Sequence, residues 1–471
     1  MPSIFSGLDI ARSALMANQT AIEVTGHNIA NVNTAGYSRQ TVTLTARRAY
    51  AADTSMNPGA AQLGTGVDVT AVTSVRDRFL EAQLLRISGQ ASDRDQYSSI
   101  LDRVQTALSE TGGGGLSSSL TAFFNAFQSL AQDPARSDLR TSVLQTADAL
   151  AREFQSLDKD LERIRTDAHA QVGTLVDQAN SVAEQIAHLN VQIGGALALG
   201  QHPNDLEDQR QELVKQLSEL LGAQAHDELD IHGKPTGSVT VECGGWTLVS
   251  GPSAVPIPSD FTSSVSHPYL TDGITAVFAP GGQIGGLTKA AGSIDAYRQS
   301  LNDIASTLIQ RVNTQHAAGY GLDGITGRAF FTGTGANDIA LAPEVANNTD
   351  ALAAASLPGA GNTVAPGNGD NARAIAAIAN QAAIGADTLG SAYARLVTRV
   401  GVDARTSQTE SASLASERQQ VLTMRNAVSG VSLDEEMTNM MQYQRSYQSA
   451  ARLLSTIDSM VQTLLSAVGV G

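Results

Sequence analysis

His226, Asp227, Glu228, Asp230 and His232 form the densest run of ligand-capable side chains in the sequence. Imidazoles and carboxylates so close together could hold a divalent metal. They fall where a helical pattern gives way to a strand pattern, and polar residues at such a corner are ordinarily solvated turn residues. Gly319-Tyr320-Gly321-Leu322-Asp323-Gly324 has the GxGxxG spacing of a dinucleotide loop. It follows a helix, whereas that loop must follow a strand and open a helix, so it reads as tight turns. Gly112 to Gly115 lacks the Lys-Ser/Thr of a phosphate-cradling loop and reads as a helix–helix joint. Asp434, Glu435 and Glu436 could pose as paired acids, but consecutive helical residues point in different directions. At a helix start they complement the positive end of the dipole, and Ser432 with Glu435 has capping-box spacing. No catalytic, cofactor-binding or metal-binding residue emerges, and no cofactor is expected.

The composition agrees. The chain has 471 residues, enough for several domains, with 4% aromatic and 16% charged residues. Ala, Ser, Thr, Gln and Asn fill the rest, which suits long helices packed through small side chains. A formal net charge of −16 argues against an extended nucleic-acid surface. The single cysteine, Cys243, excludes an intrachain disulfide and reads as a small core residue. No apolar run is long enough to span a membrane. MPSIFSGLDI has neither a basic segment nor a continuous hydrophobic stretch, so it does not read as a secretory signal.

The elements that would position any site are mostly helical. Leu8, Leu15, Ile22 and Ile29 recur every seven residues and predict a helix over 4–30. The companion row, Ala11, Asn18 and Thr25, is small or polar, so this helix is expected to need a partner. Residues 40–46 and 64–72 alternate as short strands, and helix resumes at SVRDRFLEAQLL, from Ser74. Val143, Ala147, Leu150, Phe154, Leu157, Leu161, Ile164 and Ala168 alternate steps of four and three. Val172, Leu175, Ala179, Val182, Ile186, Leu189 and Ile193 resume the pattern after one stutter. A helix over 205–221 ends at Gly222, suited to a C-cap. The stretch 223–288 turns β-rich, and helices follow from 289. The Gly/Asn/Pro-rich stretch 332–371 reads as a flexible connection.

The last segment is the most regular. Met440, Tyr443, Tyr447, Ala450, Leu454, Ile457, Val461, Leu464 and Val468 continue threes and fours without a break over 433–468. Two heptad helices at opposite ends of the chain are expected to pair as a coiled coil. Their apolar rows, Leu8, Leu15, Ile22, Ile29, Met440, Tyr443, Tyr447, Leu454, Ile457, Val461 and Leu464, are expected to form an assembly seam. Both ends are expected to stay unfolded in the isolated monomer. The organisation is thus mainly α with an inserted β domain. Residues 1–38 hold the first heptad helix and a motif. A helical rod domain over 39–222 and 289–430, with a hairpin near 40–72, brackets the 223–288 insertion. The second heptad helix covers 431–471.

Between the first helix and first strand lies NIANVNTAGYSRQ, with Asn28, Asn31, Asn33, Gly36, Tyr37, Arg39 and Gln40 as its distinctive residues. Asn31 and Asn33 can turn the backbone through side-chain hydrogen bonds, and Gly36 permits positive φ. The whole N-terminal stretch SGLDIARSALMANQTAIEVTGHNIANVNTAGYSRQ resembles the segment shared by bacterial flagellar rod, hook and hook-associated proteins. VSLDEEMTNMMQYQRSYQSAARLLSTIDSMVQTLL is similar to their C-terminal segment. Gly36-Tyr37-Ser38-Arg39-Gln40, DLEDQRQELVKQLSELLG and LNDIASTLIQRVNTQHAAGYGLDGITGRAFF narrow the resemblance to the hook-associated protein 1 family. The 223–288 stretch matches least and looks short for that family.

The resemblance implies a structural, non-enzymatic protein of the hook–filament junction that assembles with copies of itself and lets flagellin polymerise on the hook. It implies the hook protein and the adjacent hook-associated protein as neighbours. It also implies unfolded export through the flagellar type III apparatus, with a chaperone on the C-terminal helix, and an extracellular location. The alternative within the class is a hook or distal-rod protein sharing the same ends. A wall hydrolase carried on such ends would need a catalytic domain, for which 223–288 is too short. An adhesin would need an aromatic-rich surface, and this chain has one Trp.

Overall fold

The computed structural model describes residues 4–49, 64–109, 114–257, 270–271, 276–278, 280–357, 367–467 and 469. The turn expected at Asn57-Pro58-Gly59, Gly112 and Gly113, Pro258, Ile274 and Val468 lie outside them. Helices dominate: α1 (Ile4–Ala30), α2 (Arg78–Leu108), α3 (Leu116–Leu130), α4 (Ser137–Ala198), α5 (Asn204–Leu221), α6 (Gly282–Ala317), α7 (Pro343–Ala346), α8 (Asp370–Ala377), α9 (Leu389–Ser429) and α10 (Leu433–Ala467). The strands are β1 (Gln40–Ala46), β2 (Val67–Ser74), β3 (Gln224–Leu229), β4 (Pro235–Cys243), β5 (Trp246–Ser250), β6 (Ser253–Ala254), β7 (Leu270–Thr271), β8 (Ala276–Phe278), β9 (Phe331–Thr332) and β10 (Ala340–Leu341). No helix among the described residues is long and apolar enough to cross a membrane.

The chain divides into two compact units, each built from separate stretches. The first holds residues 1–90, 178–257 and 414–471, and the second holds 91–177 and 258–413.

In the first unit α1 and α10 pack side by side and antiparallel. Ile457 lies against Gly7 at one end and Met440 against Gly26 at the other. The face buried on α1 is not the Leu/Ile row. Ala11, Ala17, Ala21 and Thr25 are buried, while Leu8, Leu15, Ile22 and Ile29 are half-buried. Of the row that looked weak in sequence, Ala11 and Thr25 are buried and Asn18 is half-buried, and the close approaches to α10 fall at Gly7 and Gly26. On α10, Ala450 and Ile457 are buried, Met440, Tyr443, Leu454 and Val461 are half-buried, and Tyr447 and Leu464 are exposed. α1 and α10 are thus helical and packed on each other.

β1 and β2 form an antiparallel ribbon with an irregularity at Thr43/Leu44. Leu84 and Ile87 of α2 bury Val421 of α9. β3 to β6 form an antiparallel meander. Asn190 of α4 clamps that sheet, donating to the Val239 and Gly251 carbonyls at 2.9 and 2.7 Å and accepting from the Val239 N–H at 3.2 Å. α5 ends as expected at Gly222, left-handed at φ 71°, with its N–H on the Ser218 carbonyl at 2.6 Å.

The second unit is centred on aromatic rings. Phe123 and Phe127 of α3 pack edge-on or tilted against Phe330, which is also 4.7 Å from Phe331 between centroids. The stretch 332–371, expected as a connection, contains folded chain. Residues 358–366 lie outside the described ones, but 332–357 folds down, burying Ala336, Ile339, Val345 and Leu352. Side-chain caps replace regular pairing there: Asp338 accepts from the Thr334 and Gly335 N–H groups at 2.8 Å each. α6 begins earlier than expected, at Gly282, and Gly286 in its first turns sits against the Asp93 carbonyl, where no Cβ fits. Along α4, Val176 is buried and Leu175 is not, so steps of four run 164, 168, 172, 176 before threes resume.

His316 is fully buried against Phe330. Its Nδ1 lies 2.8 Å from the Arg328 carbonyl, and its Nε2 accepts from the Ala353 N–H at 2.9 Å. An acceptor on one side and a donor on the other define the neutral ring. Burial pushes its pKa down to about 4, with the Arg328 charge acting the same way and the carbonyl bond opposing. An unfolded histidine titrates near 6.5. The stability that the neutral ring contributes is therefore present above pH 6.5 and lost as pH falls toward 4, reaching about 3 kcal/mol. Thermal unfolding from pH 7.5 to 4.5 is expected to show this loss, and His316→Gln should have a visibly shallower slope over that window.

Candidate functional site

The motif between α1 and β1 is the best-defined polar cluster in the first unit, and it is built around one amide. Asn28 lies in the last turn of α1 and is 1% exposed. Its Nδ2 donates to the Gln40 carbonyl at 2.9 Å and to Glu436 Oε2 at 3.0 Å. Its Oδ1 accepts from the Gln40 N–H at 2.9 Å and from the Tyr37 hydroxyl at 2.8 Å. The amide thus pairs with both backbone groups of Gln40 as a neighbouring strand would. A buried amide has two donors and two acceptor lone pairs, and all four are used.

The chain between Asn28 and Gln40 is folded so that this closure works. Asn31 Nδ2 returns to the His27 carbonyl at 3.1 Å, and its Oδ1 accepts from Thr34 Oγ1 at 3.1 Å. Gly36 adopts φ 79°, where a Cβ would also press on Glu212 at 3.1 Å. The turn delivers Tyr37 back onto α1, its ring edge-on to His27 at 5.6 Å. Burial, and then the charges of Asp205, Asp208 and Glu436, raise the Tyr37 pKa and keep the phenol protonated. Asn33 does not take the turning role expected of it. It is exposed and makes no side-chain hydrogen bond among the described residues.

The last three motif residues reach other elements. The Ser38 N–H donates to Asp208 Oδ2 at 3.0 Å, and Gln40 Nε2 donates to Asp205 Oδ1 at 2.7 Å, both at the start of α5. The Arg39 N–H donates to the Ser429 carbonyl at the end of α9 at 2.9 Å, and its guanidinium pairs with Glu435 of α10 at 2.9 Å. Arg425 of α9 closes the back, pairing with Glu81 of α2 at 2.9 Å and donating to the Gly36 carbonyl at 3.1 Å. Arg76 ties β2 to Asp208 at 2.7 Å.

Glu435 and Glu436 therefore do more than start a helix. The capping box expected from Ser432 and Glu435 is not formed, since Glu435 is drawn to Arg39 instead. Sequence reading missed Asp205, Asp208, Arg425, Glu435 and Glu436 as members of this cluster. The one local signal was three carboxylates opposite an arginine whose side of the fold was unknown.

The other tempting patterns fold into ordinary structure. Asp230 Oδ1 accepts from the His232 and Lys234 N–H groups at 2.8 Å, closing the β3–β4 turn. Asp227 faces Arg78 at 3.4 Å, and Glu228 accepts from Thr240 at 2.7 Å. Among the described residues no three His, Cys, Asp or Glu side chains gather as metal ligands. Gly319 and Gly321 pack against Asn371 and the Asp350 carbonyl, where side chains would collide. Cys243 is buried against the Leu221 carbonyl.

The arrangement ties the α1–α10 pair to the start of α5 and the end of α9, and its polar groups are largely engaged with one another. Beside it opens a groove of about 860 Å³ between α4, α5 and the motif.

Comparison with known proteins converges on one kind of molecule. Residues 101–331 match the flagellar hook-associated protein FlgK helical domain. Residues 425–467 match the flagellar basal body rod FlgEFG protein C-terminal family, and residues 8–37 match the flagella basal body rod protein family. The chain is 30% identical to flagellar hook-associated protein 1 of Bacillus subtilis (strain 168), over the whole of both chains. It is 28% identical to the protein of that name from Salmonella typhimurium, covering 97% of this chain and 98% of that one. That alignment runs to 560 positions, so the Salmonella protein carries sequence that this 471-residue chain lacks. Among solved structures, the flagellar hook junction protein FlgK from Burkholderia pseudomallei shares the fold, with a TM-score of 0.64 at 17% identity. The match covers 74% of this chain and all of that one.

Proposed function

Because this chain belongs to the flagellar hook-associated protein 1 family, we propose that it is a structural element of the bacterial flagellum, joining hook to filament and seating the first flagellin subunits. The observation that carries this reading is the surface of α10. Met437, Met441, Leu453, Met460 and Leu465 are 46 to 57% exposed, although the helix is already paired with α1. A single helix with that much uncovered apolar side chain is built to be covered by neighbours. Repeated copies, packed helix pair against helix pair, cover it. The half-buried row of Leu8, Leu15, Ile22 and Ile29, with Tyr447, Leu454, Val461 and Leu464, adds to the same assembly seam.

The junction cluster has a matching part. In a tubular assembly every subunit must leave the wall at one angle, and the Asn28-centred closure sets that angle. The neighbours below and above are the hook protein and the adjacent hook-associated protein. Export proceeds unfolded through the flagellar type III apparatus, with a chaperone covering α10 until release. The work is done outside the cell. The sheet region within 223–288 faces outward from the axial helices.

The test is electron microscopy of cells whose only copy lacks residues 432–471, with flagellin assayed in the medium. Hooks without filaments, together with shed flagellin, are expected. Missing hooks would move the protein to the rod or hook itself, and normal filaments would remove it from the axis.

A further inference from the structure

The groove beside the motif has an apolar floor and an acidic rim. Leu189 of α4, Leu213 of α5 and Ala35 line it together with the His27–Tyr37 ring pair. Glu184, Asp205, Asp208 and Glu212 also line it. Three of these carboxylates are engaged: Asp205 by Gln40, Asp208 by Arg76 and Glu212 by Lys215 at 2.8 Å. Glu184 is exposed and has no cationic partner within 4 Å among the described residues. Such a groove suits a segment that is apolar along its length and cationic at its end, with aliphatic groups on the floor and a guanidinium at the rim.

The chain itself displays one. The β1–β2 ribbon is two-stranded and most of its side chains are exposed or half-exposed. It is held at its base, where Ser13 Oγ of α1 accepts from the Val67 N–H at 3.2 Å and α5 bonds Gln40 and the Val72 carbonyl through Asp205 and Asn204. A two-stranded ribbon is marginal without further packing. It carries exposed Leu44 and Val69. At its end Arg47 is neutralised by Asp68 at 2.6 Å. The neighbouring Arg48 is exposed and has no carboxylate within 4 Å among the described residues.

We infer that the groove receives the β1–β2 ribbon of a second copy of this chain, with Arg48 of that copy against Glu184. This rests on the reading that copies pack side by side in the flagellum, and it adds a contact away from the terminal-helix seam. It gives an exposed ribbon its missing cover and an unpaired carboxylate its cation. Both residues lie at the surface and outside the Asn28 cluster, so reversing either charge leaves the fold of the monomer in place.

The experiment uses the full chain in cells lacking their own copy. Arg48→Glu and Glu184→Arg are each expected to cut the number of filaments per cell at least tenfold, with unfolding temperatures of the purified chains unchanged. The chain carrying both reversals is expected to recover most filaments, because the pair is restored with opposite polarity. In parallel, a chain with Arg48→Cys and Glu184→Cys is oxidised in isolated hooks and run without reductant. Dimers and higher multiples of this chain support the contact. A cross-link within one chain, a cross-link to a different protein, or filament loss that the double reversal does not relieve would overturn it. If the unaltered chain fails to restore filaments, the junction reading itself has failed, and the cross-linking result still decides whether copies meet here.

Discussion

Asn28→Ala is expected to lower the stability of the full chain by about 3–5 kcal/mol, more than any other single truncation in the motif. Four hydrogen bonds disappear together, leaving the Gln40 N–H and carbonyl, the Tyr37 hydroxyl and the Glu436 carboxylate without their partner. Each buried polar group abandoned in this way costs about 1–3 kcal/mol, the charged one at the upper end. Calorimetry of the purified chain measures the loss, and amide exchange should show it concentrated in α1, β1 and the start of α10. Asn28→Asp separates this account from a packing effect, since volume is kept. A second carboxylate would then face Glu436, where an N–H donor now sits at 3.0 Å. The loss at pH 7 should be at least as large, and it should shrink on acidification as one of the two acids takes a proton. Loss below 1 kcal/mol for both variants would mean that the amide is not the centre of the junction.

The second large effect is expected from α10, where two aspartates distinguish folding from assembly. Ile457 is 9% exposed and packs at 3.1 Å on the position where Gly7 would carry a Cβ. Ile457→Asp removes about 1.5–3 kcal/mol of apolar burial and places a charge against α1. It should unzip the helix pair and leave cells without filaments. Met441 is 51% exposed, on the side of α10 away from α1. Met441→Asp should leave the melting curve of the monomer unchanged and still reduce filaments by two orders of magnitude or more. The loss is repeated at every subunit contact around the ring. Filament counts and flagellin in the medium read both. Normal filaments with Met441→Asp would mean that the apolar face of α10 is not an assembly surface.

Much of the architecture could be read from residue order, and the exceptions share a cause. The bounds of α1 and the start of α10 were legible because apolar residues at threes and fours leave few alternatives. Which row of α1 is buried was not legible from hydrophobicity. Gly7 and Gly26 meet α10 and Ala11 and Ala21 are buried, while the larger Leu and Ile side chains are half-buried. The role of Asn28 was hidden for a different reason. Two of its partner groups lie 12 residues away and a third 408 residues away, and no periodicity reports that distance. The loop composition of 332–357 misled because Asp338, Asn348 and Asn302 satisfy the backbone there with side chains, so irregular chain can be buried. Glu435 could be recognised as a helix-start acid but not as the partner of Arg39, since both readings leave the same local signature.

The bond between Asn28 and Glu436 has one more consequence. Ribosomes deliver residue 28 long before residue 436, so a growing or prematurely ended chain carries a buried-type amide, an arginine and a tyrosine with nothing to close on. Contacts separated by hundreds of residues also form late, because the loop must be closed before they contribute. A chain ended anywhere before Arg425 lacks Arg425, Ser429, Glu435 and Glu436 and so cannot close this corner. On the proposed reading, the corner then acts as a check of completeness, since only a subunit read through to its last helix closes Asn28 on Glu436 and Arg39 on Glu435.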